Sequence, residues 1–218
     1  AASVLGTQIP YRLWADVSML PPLVLANISD ELIAQGWLKS TSTGFEFEHE
    51  LIRASIYDAM DASRQRDLHE RAALAYGTLD PDNLRARAFH LDRAERAADA
   101  AAIYCLAGEQ DISRFAYREA QTAFQRALTL SDKNMSVERI ELQLALGGVA
   151  VTLGEGKSQI GELNEALAGA RTLKQKRLEL SALILLGRIL IQTDQYTEAE
   201  INLQTALRLA QREKDHLR

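Results

Sequence analysis

Small residues recur 19 positions apart three times along this chain: Gly108 with Ala127, Gly147 with Ala166, and Gly187 with Ala206. The three pairs begin 39 and then 40 residues apart. In the outer two, Tyr117, Ala120, Phe124 and Ala127 stand at the same offsets as Tyr196, Ala199, Leu203 and Ala206. A small residue lets two helices approach closely, and a large apolar residue one turn away fills the space between them. A two-helix unit of that kind cannot bury its apolar face alone, so units at a fixed period stack on one another. The chain is therefore expected to be mainly α, built over residues 95–218 from stacked αα-hairpins. Their helices are expected at 95–114 with 117–130, 137–153 with 159–173, and 178–193 with 197–213. In the middle unit Gly156 and Gln159 replace the Tyr and Ala of its neighbours, which predicts looser packing there.

Composition agrees with a helical chain. Of its 218 residues 47% are hydrophobic and 25% charged, with only 4 Pro. No apolar run is long enough to cross a bilayer, no leader is visible, and the single Cys105 fits a buried small hydrophobe. A cytoplasmic protein without a membrane is expected. The chain starts without Met and stops in a charged helix, as a piece of something larger would.

The first 60 residues depart from the repeat. A helix is predicted over 11–20, stopped by Pro21-Pro22, and a second from there to Gly36, which suits a C-cap. Trp37-Leu38 and Phe45-Glu46-Phe47 flank a polar turn and predict a β-hairpin, and a third helix is expected over 49–60. Helix, helix, hairpin, helix is the outline of a winged helix, so 1–62 is expected as a small winged-helix domain. Residues 63–94 are expected as a connecting helical hairpin, 64–76 with 84–94, broken by Gly77 and the Asp80-Pro81-Asp82-Asn83 turn.

The repeats resemble tetratricopeptide repeats in their small–small–large–small pattern, although their period is longer. That resemblance implies a right-handed solenoid. The segments Ala1-Ala2-Ser3-Val4-Leu5-Gly6, Phe45-Glu46-Phe47-Glu48-His49-Glu50-Leu51-Ile52-Arg53 and Arg66-Asp67-Leu68-His69 resemble a known junction. It is that of winged-helix and repeat domains in signal-transduction ATPases with numerous domains, including the large LuxR-type transcriptional regulators. The resemblance implies an upstream ATPase core holding ATP or ADP, with the repeats as a sensor arm. It also implies that His49 contacts the nucleotide in the full-length parent, with Glu50 as the acidic residue beside it. No cofactor is expected for these 218 residues alone. Physically, a histidine at a helix N-terminus can meet a phosphate, because that end carries free N–H groups and partial positive charge. The plain alternative is a histidine that hydrogen-bonds a backbone group there.

Other sharp readings weaken on their residues. Gly154-Glu155-Gly156-Lys157-Ser158 ends like a phosphate-binding loop, but Val151 stands where that motif needs its first glycine. The second helix carries Asp30 and Glu31 and no Lys or Arg, which argues against direct DNA binding. His49, His69, His90 and His216 are far apart in sequence, with no metal-ligand spacing, and no nucleophile–base pair stands out. No catalytic residue and no metal site are expected, and the chain is read as a non-enzyme.

The working part is expected on the inner face of the first helix of each unit. The candidate partner groove comprises Glu109, Ile112, Leu144, Thr152, Ile184, Arg188 and Gln192, flanked by Cys105, Ser113, Gly148, Val151 and Ile191. It reads as mixed and rather apolar, suited to a protein partner or small effector, or equally to packing against the next helix. An apolar stripe over 201–209 invites a homodimer. The expectation is a non-catalytic sensor fragment of a multidomain signalling ATPase, a bacterial transcriptional regulator. The alternatives are a free-standing tetratricopeptide-repeat scaffold and a winged-helix DNA-binding regulator.

Overall fold

A computed structural model describes the backbone of residues 1–216 and the side chains of residues 1–212. The protein is mainly helical, with eleven α-helices among the described residues. It divides into two compact units, Ala1–Ile103 and Tyr104–Arg218.

Unit 1 opens with a 3-10 turn, Ala2–Val4, and strand β1, Gln8–Pro10, followed by α1, Tyr11–Ser18, and α2, Pro22–Ala34. Strands β2, Leu38–Ser40, and β3, Gly44–Phe47, precede α3, Glu50–Asp58. The sheet is antiparallel in the order β1-β3-β2, pairing Ile9 with Phe45 and Leu38 with Phe47. The sequence predicts β2 and β3 only. Strand β1 has just one buried residue, Ile9, between exposed Gln8 and half-buried Pro10, which is too short to show a period of two. Trp37, expected in the hairpin, lies before it and is half exposed. Helix α1 stops at Ser18 because Met19 turns left-handed, φ 56°, two residues short of the predicted end.

The core of unit 1 gathers Ile9, Leu13, Trp14, Val17, Leu25, Leu38, Phe47, Leu68 and Ala72. Trp14 meets the edge of Phe45 at 5.3 Å, a favoured aromatic geometry. Helix α4, Ala62–Leu79, is capped by Asp61, whose carboxylate accepts the Arg64 amide. It runs straight through Gly77, where a break was expected. One interior glycine costs only about 1 kcal/mol, and the chain turns instead at Asp80. There the Asn83 side chain accepts the Ala86 amide to start α5, Leu84–Arg93.

Helix α6, Ala97–Ser113, crosses the division between the units. Unit 2 continues with α7, Tyr117–Leu130; α8, Val137–Thr152; α9, Ile160–Thr172; α10, Lys176–Gln192; and α11, Tyr196–His216. A 3-10 turn, Gly156–Gln159, leads into α9. The recurring small residues do what their spacing predicts. A Cβ added at Gly108 would lie 2.6 Å from the Phe124 ring, one at Gly147 2.7 Å from Leu163, and one at Gly187 2.7 Å from Leu203. The middle hairpin therefore closes as tightly at this point as its neighbours. Its substitution at Gly156 serves the next unit, since a Cβ there would lie 2.6 Å from Ile189 of α10.

A second repeat is visible only in the backbone. Glu95, Phe115, Gly154, Lys174 and Asp194 all adopt φ between 56° and 75°, each just past a helix. After each, the following amide returns to a carbonyl five residues back: Arg96 to Leu91, Ala116 to Asp111, Glu155 to Ala150, Gln175 to Ala170, and Gln195 to Leu190. This is the Schellman closure, which satisfies carbonyls left open at a helix end. Four of the five are not glycine, so the sequence conceals them.

Two contrasts test this packing. Gly147→Ala is expected to cost about 1–3 kcal/mol by overpacking against Leu163. Its neighbour Gly148→Ala, where an added Cβ meets nothing within 4 Å, is expected to gain about 0.5–1 kcal/mol. Urea midpoints that move the same way for both would sink the close-approach argument. At the turns, Lys174→Gly is expected to raise stability and Gly154→Ala to lower it, each by about 1 kcal/mol, as read from thermal unfolding.

Candidate functional site

The three inner faces fall into register as Cys105, Glu109, Ile112 and Ser113 on α6; Leu144, Gly148, Val151 and Thr152 on α8; and Ile184, Arg188, Ile191 and Gln192 on α10. Their exposure separates them into two rows. Leu144 and Val151 are buried, packed with Leu163 and Leu183, while Cys105 and Ile112 are half-buried against the cluster around Phe124 and Leu146. Burial pushes the Cys105 thiol pKa up, with Glu109 and Glu141 adding to it. On α10 the matching Ile184 and Ile191 stand 40% and 46% exposed. The other row is open in every unit: Glu109 and Ser113, Thr152 beside the half-buried Gly148, and Arg188 with Gln192.

Among the predicted groove residues, Leu144 thus lies in the core and Ile112 half in it, while Glu109, Thr152, Ile184, Arg188 and Gln192 are accessible. The reason is stacking. Helix α10 lies on α8, and the Gln192 side-chain amide donates to the Val151 carbonyl at 3.1 Å. What stays open along the three units is polar, where the sequence suggested a rather apolar groove.

Further depressions lie on unit 2. One of about 320 Å³ is lined by Ile160, Asn164, Leu186, Glu198 and Ile201 among others, and one of about 440 Å³ by Ile191, Tyr196, Leu203 and Leu207. Of the predicted inner-face residues only Ile191 lines either of them. Ile201 and Leu207, in the predicted apolar stripe, are 58% and 59% exposed.

His49 is the N-cap of α3, with extended backbone, and its ring makes no capping hydrogen bond. Its carbonyl accepts the Ile52 amide at 3.0 Å. The ring is exposed, so the plain backbone-bonding alternative is not seen. Next to it Glu50 is committed. It accepts from Arg53 Nε at 2.7 Å and from the Thr7 hydroxyl at 2.8 Å, and these bonds hold its carboxyl below the usual range. Arg53 also donates to the Ser3 carbonyl at 2.9 Å, so α3 is fastened to the start of the chain.

The Gly-Lys-Ser segment is a helix junction. Gly154 makes the left-handed turn, Glu155 accepts from the Gln121 side chain at 3.0 Å and pairs with Arg118, and Gly156 is buried. Asp30 and Glu31 are exposed on α2. Among the described residues no cluster of three or more His, Cys, Asp or Glu is placed to hold a metal. No single helix among them is long and apolar enough to cross a membrane.

Sequence reasoning missed one polar cluster entirely. His69 and His90, 21 residues apart, meet with their Nδ1 atoms 2.8 Å from each other. They are 1% and 3% exposed. The Tyr57 hydroxyl of α3 lies 2.9 Å from His69 Nε2, Tyr76 stacks on His90 at 5.3 Å, and Phe89 meets both imidazoles edge-on. The available signal was that His69 and Tyr76, two turns apart, share the face of α4 that its hairpin partner α5 must cover. The ring of His216 lies outside the described side chains.

Compared with known protein families, the chain matches none. It is similar to a protein of Rhizobium meliloti (strain 1021) described only as uncharacterized, 29% identical over 192 residues. The match takes in 83% of this chain, which spans only 18% of that relative's length.

The division of the inner face into core and open rows has a direct check. Leu144→Ala is expected to cost about 2–5 kcal/mol, while Glu109→Ala and Thr152→Ala stay within about 0.5 kcal/mol. Similar unfolding midpoints for all three would return Leu144 to the surface.

Proposed function

We propose that this chain is the non-catalytic sensor region of a multidomain signalling ATPase, a cytoplasmic bacterial transcriptional regulator. Its unit 2 is a tetratricopeptide-like array that binds a protein partner or effector. Its first residues, 1–62, form a winged helix that relays occupancy to an ATPase core. The observation that carries the reading is the register of glycine contacts, which stacks hairpins at a period of about 40 residues and leaves one polar row open. Repeat arrays of this kind present extended surfaces for binding. The far greater length of the Rhizobium relative supports a place within a large multidomain protein. The helix, helix, hairpin, helix order of unit 1 supports the winged helix. Its α2 presents Asp30 and Glu31 and no cation, which weighs against DNA, whose affinity depends on Lys and Arg.

A polar row holding Glu109, Ser113, Thr152, Arg188 and Gln192 suits a partner with exposed peptide groups or charge better than an apolar effector. For the relay to work, the partner must bind one arrangement of the head better than another. In the full-length protein His49→Ala is expected to weaken ADP retention about tenfold, measured by release of a fluorescent ADP analogue. Thr152→Glu with Arg188→Glu is expected to abolish partner cross-linking in cells while leaving ADP release unchanged. ADP release identical in wild type and the His49 variant would remove the nucleotide role. Unchanged cross-linking would remove the open row.

A further inference from the structure

The two imidazoles buried between α4 and α5 face each other through the same kind of nitrogen. Between two Nδ1 atoms 2.8 Å apart only one proton fits. If Tyr57 donates to His69 Nε2, His69 carries its proton on Nδ1 and donates to His90. In the reverse arrangement His90 donates to His69, whose Nε2–H donates to the Tyr57 oxygen. Two neutral rings satisfy both arrangements. One added proton, on His69 or on His90 Nε2, keeps both hydrogen bonds but buries a charge among Tyr57, Tyr76 and Phe89. A second sets N–H against N–H and breaks the contact.

We propose that the His69–His90 pair is an acid-sensitive latch: the closed α4–α5 hairpin excludes two protons that the opened hairpin binds, so acid opens it. The groups around the latch favour this polarity. From α5 the Arg93 guanidinium acts on His69 and disfavours its charged form. From α4 Tyr76 lies on His90 and is itself faced by Asp80, and from α3 comes the Tyr57 hydroxyl. The ion pairs Arg66–Glu95 and Arg96–Glu70 tie α4 to the α5–α6 turn. They are exposed and add little to closure.

Burial, with Arg93, brings the His69 pKa down to about 4, and burial, with His69, brings that of His90 down to about 3. Opened imidazoles return to about 6.5. The open state therefore holds more protons in this window, so closure is fully favoured above pH 6.5 and weakens as pH falls toward 4. For two protons the opening constant rises several-hundred-fold between pH 7 and pH 5, above the range where ordinary carboxylates titrate.

Hydrogen exchange of the α4 and α5 amides in the full chain, corrected for intrinsic pH dependence, reads this directly. Protection is expected to fall several-hundred-fold between pH 7 and pH 5 in wild type. In His69→Gln with His90→Gln, where an amide pair replaces the imidazoles, it is expected to change less than about threefold. A pH-independent wild type, or an equal fall in the double variant, overturns the latch. If the double variant does not fold, imidazole nitrogen NMR of the wild type decides. Two neutral rings at pH 6 sharing one Nδ1 proton support the proposal, and an imidazolium on either ring rejects it.

Discussion

The helical pairs of unit 2 are held at a separation set by missing side chains. Phe124, Leu163 and Leu203 each occupy the space a Cβ would fill on the facing helix, at Gly108, Gly147 and Gly187. Close approach of this kind gains dispersion contacts along both helices, and it fixes their azimuth, since only one face carries the gap. Other features follow from that azimuth. Ala127, Ala166 and Ala206 are buried at the crossing, and the partner face of each first helix is left to meet the next unit. Gly156 extends the device between units, because Ile189 of α10 enters the space it leaves.

Left-handed turns complete the geometry. Three residues separate each first helix from the next helical turn, and a Schellman closure reverses the chain there while satisfying the last carbonyls. Holding Glu95, Phe115, Lys174 and Asp194 at positive φ costs energy that packing must offset. Glu95, Lys174 and Asp194 are exposed, and Phe115 is 78% exposed, so these residues serve the backbone and leave the core to the helices.

Legibility in the sequence divided along physical lines. The glycine contacts were legible because side-chain volume is written in residue identity, and their spacing repeats. The turns were not, because an αL conformation at Phe115 or Lys174 leaves no mark in composition. Strand β1 was hidden because one buried residue makes no pattern. Gly77 misled because a single interior glycine does not stop a helix that a capped turn stops three residues later. The histidine pair was hidden because hydrogen bonding across a hairpin depends on helix azimuth, which sequence separation does not give. At the candidate site, Glu109, Thr152, Arg188 and Gln192 stand exposed on the face where helical period puts them. Leu144 does not, because α8 has helices on several sides and buries Leu142, Gln143, Leu144 and Leu146 alike.

That last case bears on what such a surface can recognise. A groove inferred from one helix assumes that its inner face has a single neighbour. In a stack, the apolar positions of that face are taken by the next unit, as α10 takes Leu144 and Val151. The polar positions one turn apart remain, and they form a row shared by the first helices of all three units. A ligand that reads this row across several units must therefore be held by hydrogen bonds and charge, with Glu109 at one end of the row and Arg188 near the other. Apolar contacts on Ile184 and Ile191 exist on a single helix, so they can add affinity at one point without providing register along the array. Direction along the row comes from its opposite charges, which makes a partner of matching polarity the one this face can orient.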